Sequence, residues 1–110
     1  MSNDTLFQAL RQAAENLIKV KNLNGTADLK CKSCGSWIEH WKHKSKEEPD
    51  GCSCLGCQNI AEVGAHVKKI DSEDMHHYIV PLCKQCNAKT EEFWINKDVL
   101  VTARKCNPNK

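Results

Sequence analysis

The sequence predicts a small α+β domain stapled by cross-links rather than sustained by a large apolar core, and three observations lead there. The chain has 110 residues, enough for one hydrophobic core but not for two that could each stand alone. Aromatic residues make up only 5% of it, and much of the 40% counted as hydrophobic is cysteine and alanine. Eight cysteines are present, and small domains with thin cores draw on disulfides or metal ions for stability.

The compartment decides between those two staples. The opening stretch MSNDTLFQALRQAAENLIKV lacks the basic region and unbroken apolar run of a secretory signal. No stretch reaches the roughly 18 apolar residues of a membrane span. The expected location is therefore cytoplasmic, without membrane association, where thiols stay reduced and Cys-x-x-Cys pairs favour metal over disulfides. The formal charge of +2 is cancelled by the charge of about −2 that four thiolates and one Zn2+ bring together. Bulk charge then points to no partner, and nucleic-acid contact would have to come from a local patch such as Lys42, Lys44 and Lys46, or Lys68 and Lys69.

Residues 4 to 21 read as an amphipathic helix, with Leu6, Leu10, Ala13, Ala14 and Leu17 at helical spacing and Phe7 and Ile18 widening the stripe. Thr5 and Gln8 fit a capping box, and Asn24-Gly25 supplies the stop. Residues 1–26 thus form a helix that packs on the core or makes a dimer contact, and residues 27–110 form the metal-binding domain. Within that domain Ser36 to His43 suits a short helix with Trp37 and Trp41 on one face, followed by the polar loop KSKEEPD. Asn59 to Ile70 has β character, and His77 to Leu82 reads as a strand. Asn87 to Ile95 is expected as a helix, and Lys97 to Arg104 as an edge strand.

Zinc takes four tetrahedral ligands, and a Cys-x-x-Cys turn presents two sulfurs on one side of a backbone loop, so any two such turns complete a site. Three turns are present: Cys31/Cys34, Cys54/Cys57 and Cys83/Cys86. Cys83/Cys86 lies between a strand and a helix, where the helix dipole steadies thiolate charge. Its expected partner is Cys31/Cys34, a knuckle relieved by Gly35, with Cys54/Cys57 as the alternative pairing. Cys52, Cys54 and Cys57 could instead build a second site, completed by His40, His43 or His66, which makes one or two structural Zn2+ ions per chain. Cys106 is expected as an unliganded thiol. His76 and His77, adjacent in a strand, should face opposite ways.

Gly64-Ala65-His66-Val67, followed by Tyr78-Ile79-Val80-Pro81-Leu82-Cys83-Lys84-Gln85-Cys86-Asn87, resembles the HNH, or ββα-metal, endonucleases built on a zinc-stabilised treble clef. The resemblance covers roughly residues 31 to 95. It implies an HNH-like treble clef in which His66 is the general base activating water against a phosphodiester. Asn87 would help to hold a catalytic Mg2+ or Mn2+, while the cysteines hold structural zinc only. That division is chemically sensible, because a four-thiolate site is closed whereas hydrolysis needs a hard ion with open positions. Ala65 stands where many members carry Asp or His, and Tyr78 where they carry Asn; Glu62 shares the strand face of His66 in regular pairing.

Three functional readings follow. The first is a zinc-binding HNH-like domain that binds DNA or RNA without catalysis. The second is a metal-dependent nuclease cleaving DNA phosphodiesters. The third is an interaction module that docks a partner, or a second copy, through its N-terminal helix and the Trp37/Trp41 face.

Overall fold

Five antiparallel strands organise the described part of the chain, which is residues 15–23 and 35–103 of a computed structural model. In chain order the elements are β1 (Leu17–Asn22), α1 (Trp37–Ser45), β2 (Val63–Lys69), β3 (His77–Leu82), α2 (Lys84–Asn87), β4 (Phe93–Asn96), a 3-10 turn (Lys97–Val99) and β5 (Val101–Thr102). The sheet runs β4-β1-β2-β3-β5. The hairpin of β2 and β3 sets the register with Ala65 opposite Val80 and His66 opposite Ile79. β1 enters between the hairpin and β4, placing Asn22 opposite Val67 and Ile18 opposite Ile95.

Because successive side chains of a strand point to opposite faces, this register sorts the hairpin into two surfaces. Ala65, Val67, Val80 and Leu82 join Val20, Phe93 and Ile95 in one buried cluster that also contains Cys52, Cys54, Cys83 and Cys86. Gly64, His66 and Ile79 face the other way, toward α1. Gly64 is what lets the helix approach: a Cβ there would stand 2.5 Å from Ile38 N and 2.7 Å from the Trp37 carbonyl oxygen.

α1 forms where sequence periodicity places it, two residues longer at its end. Ser36 caps it by accepting a hydrogen bond from the Glu39 N–H at 3.3 Å. Lys46 closes it in the left-handed conformation with φ 62°, its N–H donating to the Lys42 carbonyl at 2.9 Å. Two buried side chains then fasten the C-terminal segment to the helix. His40 Nε2 hydrogen-bonds the Thr102 carbonyl at 2.8 Å, and Trp41 Nε1 donates to the Val99 carbonyl at 2.8 Å. Trp41 is consequently buried against the protein rather than displayed for a partner, which corrects the expected docking face.

Three further expectations are corrected. Of the helix expected over residues 4–21, positions 4–14 lie outside the described residues, and Leu17–Asn22 is a strand. The run Ile18-Lys19-Val20-Lys21-Asn22 alternates with period two, burying Val20 and Asn22, and β-branched Ile18 and Val20 suit a pleated surface. The helix expected over Asn87 to Ile95 is instead a single turn, Lys84–Asn87, and Phe93–Asn96 is a strand whose Phe93 and Ile95 are buried while Trp94 and Asn96 are exposed. The edge strand expected over 97–104 shrinks to β5, preceded by the 3-10 turn. Among the described residues no helix is long and apolar enough to cross a membrane.

Two outcomes follow from this packing. Gly64→Ala should lower stability by about 1–3 kcal/mol, the usual cost of overpacking, in denaturant unfolding of the metal-loaded protein. Gly51→Ala, whose new Cβ would come no closer than 3.9 Å to Asn59 O, serves as the neutral control. Burial also holds the pKa of His40 and His66 below the ordinary 6.5, with the neighbouring His77 ring adding to the effect at His66. A histidine buried in its neutral form contributes stability above pH 6.5 that is lost as pH falls through its folded value, since the unfolded chain then binds more protons. NMR of the two imidazoles should show mostly neutral rings at pH 6.5; rings half-protonated there would contradict this account.

Candidate metal centre

Two loops bring sulfur atoms to the buried face of the hairpin. The first, residues 51–60, is pinched shut by a bridge between Gly51 and Ile60 and by the Cys52 N–H donating to Asn59 O at 2.8 Å. Its tip is a tight turn in which the Cys57 N–H reaches Cys54 O at 3.0 Å, and Gly56 takes the left-handed conformation at φ 84° that side chains resist. Ser53 N–H donates to Pro81 O and Leu55 N–H to Trp94 O, both at 2.9 Å, which hangs the loop on β3 and β4. The second loop is the start of α2. There Cys83 acts as the cap, its Sγ accepting the Cys86 N–H at 3.4 Å.

The sulfurs of Cys52, Cys57, Cys83 and Cys86 all lie within 4.8 Å of one another. Zinc–thiolate bonds of about 2.3 Å arranged as a tetrahedron separate neighbouring sulfurs by about 3.8 Å. Cys57 Sγ and Cys83 Sγ are 3.8 Å apart, far beyond the roughly 2.05 Å of a disulfide. The donor set is therefore one that a closed four-thiolate metal centre requires, and it fits a soft divalent ion such as zinc.

Hydrogen bonds prepare the sulfurs unequally. The Cys86 N–H, opposed by partial burial and assisted by the Asn59 side-chain amide, brings the Cys83 thiol down to about 6; Asn59 Nδ2 stands 3.5 Å from that sulfur and 3.2 Å from Gln85 Oε1. Burial pushes the Cys52 and Cys86 thiols up. Because a metal ion binds the thiolate form, loading the site releases the protons these thiols carry and is favoured by rising pH. Asn22 secures the same knuckle from behind: its Nδ2 donates to Cys86 O at 3.0 Å and Lys89 O at 3.1 Å.

Cys83 and Cys86 stand where sequence reasoning puts them, but their partners among the described residues are Cys52 and Cys57. Cys31 and Cys34 lie outside the described residues, as does Cys106. Cys54, expected as half of a Cys-x-x-Cys knuckle, falls outside the four-sulfur group, which takes the outer Cys-x4-Cys pair, although its thiol still interacts with that of Cys86. Neither His40 nor His66 is a ligand here. His40 is engaged with Thr102, and His66 lies on the α1 face, its ring edge-on to Trp37 with 5.2 Å between centroids.

The His66 ring sits against Trp37 on the α1 side of the sheet, and Asn87 ends the one-turn helix that opens at the second knuckle. Glu62 reaches Lys84, at 3.8 Å, rather than His66. The His66 Nε2 instead shares a hydrogen bond with His77 Nδ1 at 3.0 Å, while His76 pairs with Asp74 at 2.8 Å. Sequence reasoning missed Asn22 and Asn59 altogether. The signal for Asn22 was a polar residue at the inward phase of an alternating strand.

No protein-family model matches the chain, and no curated protein or solved structure matches it significantly.

Elemental analysis separates ligand from bystander. Cys52→Ser, Cys57→Ser or Cys83→Ser should each lose one equivalent of bound metal together with cooperative unfolding, whereas Cys54→Ser should keep the metal and lose only packing. Loss of metal from Cys54→Ser and retention in Cys52→Ser would reverse the assignment.

Proposed function

We propose that the chain is a zinc-stabilised, treble-clef-like domain that binds nucleic acid without cleaving it. The observation that carries this reading is the four-cysteine cluster in its chain context. A knuckle at Cys52/Cys57 precedes a β-hairpin, and a second pair at Cys83/Cys86 opens the helix that follows. That order is the treble-clef order, shortened here because α2 stops after one turn. Zinc is favoured over harder ions by the all-sulfur donor set, and its role in a site closed by four thiolates is to hold the fold.

Binding is favoured over hydrolysis by the enclosure of the buried His66 ring on the α1 side of the sheet. A general base must lie within hydrogen-bond reach of the water it activates, near the ion that clamps the phosphate. His66 is instead enclosed by Trp37 and His77. The HNH resemblance then extends to the scaffold and the partner class and leaves out the reaction.

Incubation of purified protein with supercoiled plasmid and with single-stranded oligonucleotides, in Mg2+ or Mn2+, tests this directly. Retention without nicking, abolished when a chelator removes the structural ion, is the expected result. Nicking that disappears in His66→Ala would establish the nuclease reading instead, and absence of any retention at low salt would overturn nucleic-acid binding.

A further inference from the structure

α1 covers only part of its side of the sheet, and what the described residues leave open is basic and aromatic. By strand alternation Lys19 and Lys21 of β1, Lys68 of β2, His77 of β3 and Trp94 of β4 project from this open half. Lys19 is directly opposite Trp94, and Lys21 directly opposite Lys68, which in turn is opposite His77. The indole of Trp94 is 45% exposed, and Lys19 Nζ sits 5.3 Å from its ring centre.

Like charges directly across a ladder repel and destabilise the pairing. Among the described residues Lys19 has a carboxylate neighbour, Glu92 at 3.7 Å. Lys69, pointing to the other face, is bound to Asp74 at 2.9 Å. Lys21 and Lys68 have no acidic partner there, so the facing pair keeps its repulsion in the free protein. An anion laid across them relieves it.

We infer that this open half-face is the surface that takes single-stranded nucleic acid, with phosphates over Lys21 and Lys68 and a base stacked on Trp94; the inference rests on the nucleic-acid reading above and specifies its surface. Strands about 4.8 Å apart and alternate residues about 6.8 Å apart put Trp94 and Lys68 roughly 12 Å from each other, a span of about two nucleotides in an extended strand. An exposed aromatic ring flanked by lysines on a sheet is the arrangement that stacks unpaired bases while tracking their phosphates. A duplex hides its bases' faces and gives Trp94 nothing to stack on. Charge complementarity fits a polyanion, and the indole selects one with flat rings. An anionic lipid surface satisfies the lysines alone.

The test uses the full metal-loaded chain with a labelled oligothymidylate, the corresponding duplex, and vesicles containing phosphatidylserine. The single strand should bind more tightly than the duplex. Lys21→Gln/Lys68→Gln should weaken single-strand binding about tenfold and flatten its logarithmic salt dependence by about 1.4, the equivalent of two single-strand phosphate contacts. Trp94→Ala should weaken it about fivefold or more while Trp94→Phe preserves most of it; Lys84→Gln, exposed at the start of α2, should change nothing. Every variant should keep its metal content, which separates lost contacts from lost folding. Oligonucleotide binding that survives both the lysine and the Trp94 substitutions, or a preference for duplex, overturns the inference and leaves nucleic-acid binding standing. Absence of oligonucleotide binding by the unaltered protein, with or without vesicle binding, overturns both.

Discussion

Cys57 and Cys83 are 26 residues apart in the chain and 3.8 Å apart at their sulfurs, and most of what lies between them is the β2–β3 hairpin. Clamping those ends imposes one closed unit on a segment whose apolar side chains are few and mostly small. The apparent binding energy of a structural zinc site is about 10–16 kcal/mol. That is comparable with or larger than the whole net stability of a typical domain, about 5–15 kcal/mol. An ion held by these four cysteines would therefore outweigh the packing of Val67, Val80 and Leu82 in keeping the hairpin closed. Asn22 extends the same constraint to β1 through the carbonyls of Cys86 and Lys89, so the knuckle and the sheet are held by one polar side chain as well as by apolar contact.

The hairpin serves two faces with one alternation. Residues of one parity meet the sulfur-rich cluster, and residues of the other meet α1 and the open basic half-face. Gly64 and His66 share a parity, so the position that admits the helix also commits His66 to it. A buried neutral imidazole edge-on to Trp37 is a packing element with one ring nitrogen engaged by His77. Its chemistry is that of the helix–sheet interface rather than of the metal face.

Some of this was readable from residue order. β3 runs from His77 to Leu82 as its β-branched content suggests, and α1 falls where Trp37 and Trp41 recur at helical spacing. Cys83 and Cys86 are placed by the strand before them. Other features were hidden for physical reasons. Leu17 and Ile18 satisfy a helical stripe and a strand equally well, and only pairing with β2 and β4 selects the strand. Cys54 looks like a ligand because Cys-x-x-Cys is the commoner turn. Which of Cys52 and Cys54 joins the sulfurs of the second loop is set by the folded shape of the first, which spacing does not encode. Phe93 to Asn96 carries a strand alternation too short to outweigh the expectation of a helix leaving the knuckle.

β1 comes from the N-terminal side of the chain yet lies between β2 and β4, which are both supplied from residue 63 onward. A chain lacking that strand would present two unpaired sheet edges, one on the hairpin and one on β4, each with free backbone donors and acceptors. Such edges recruit whatever strand is nearest, and at high protein concentration that is β1 of another copy. Loss or late arrival of six residues thus converts an intramolecular insertion into strand exchange between molecules, and the intact N-terminal strand protects the domain from self-association.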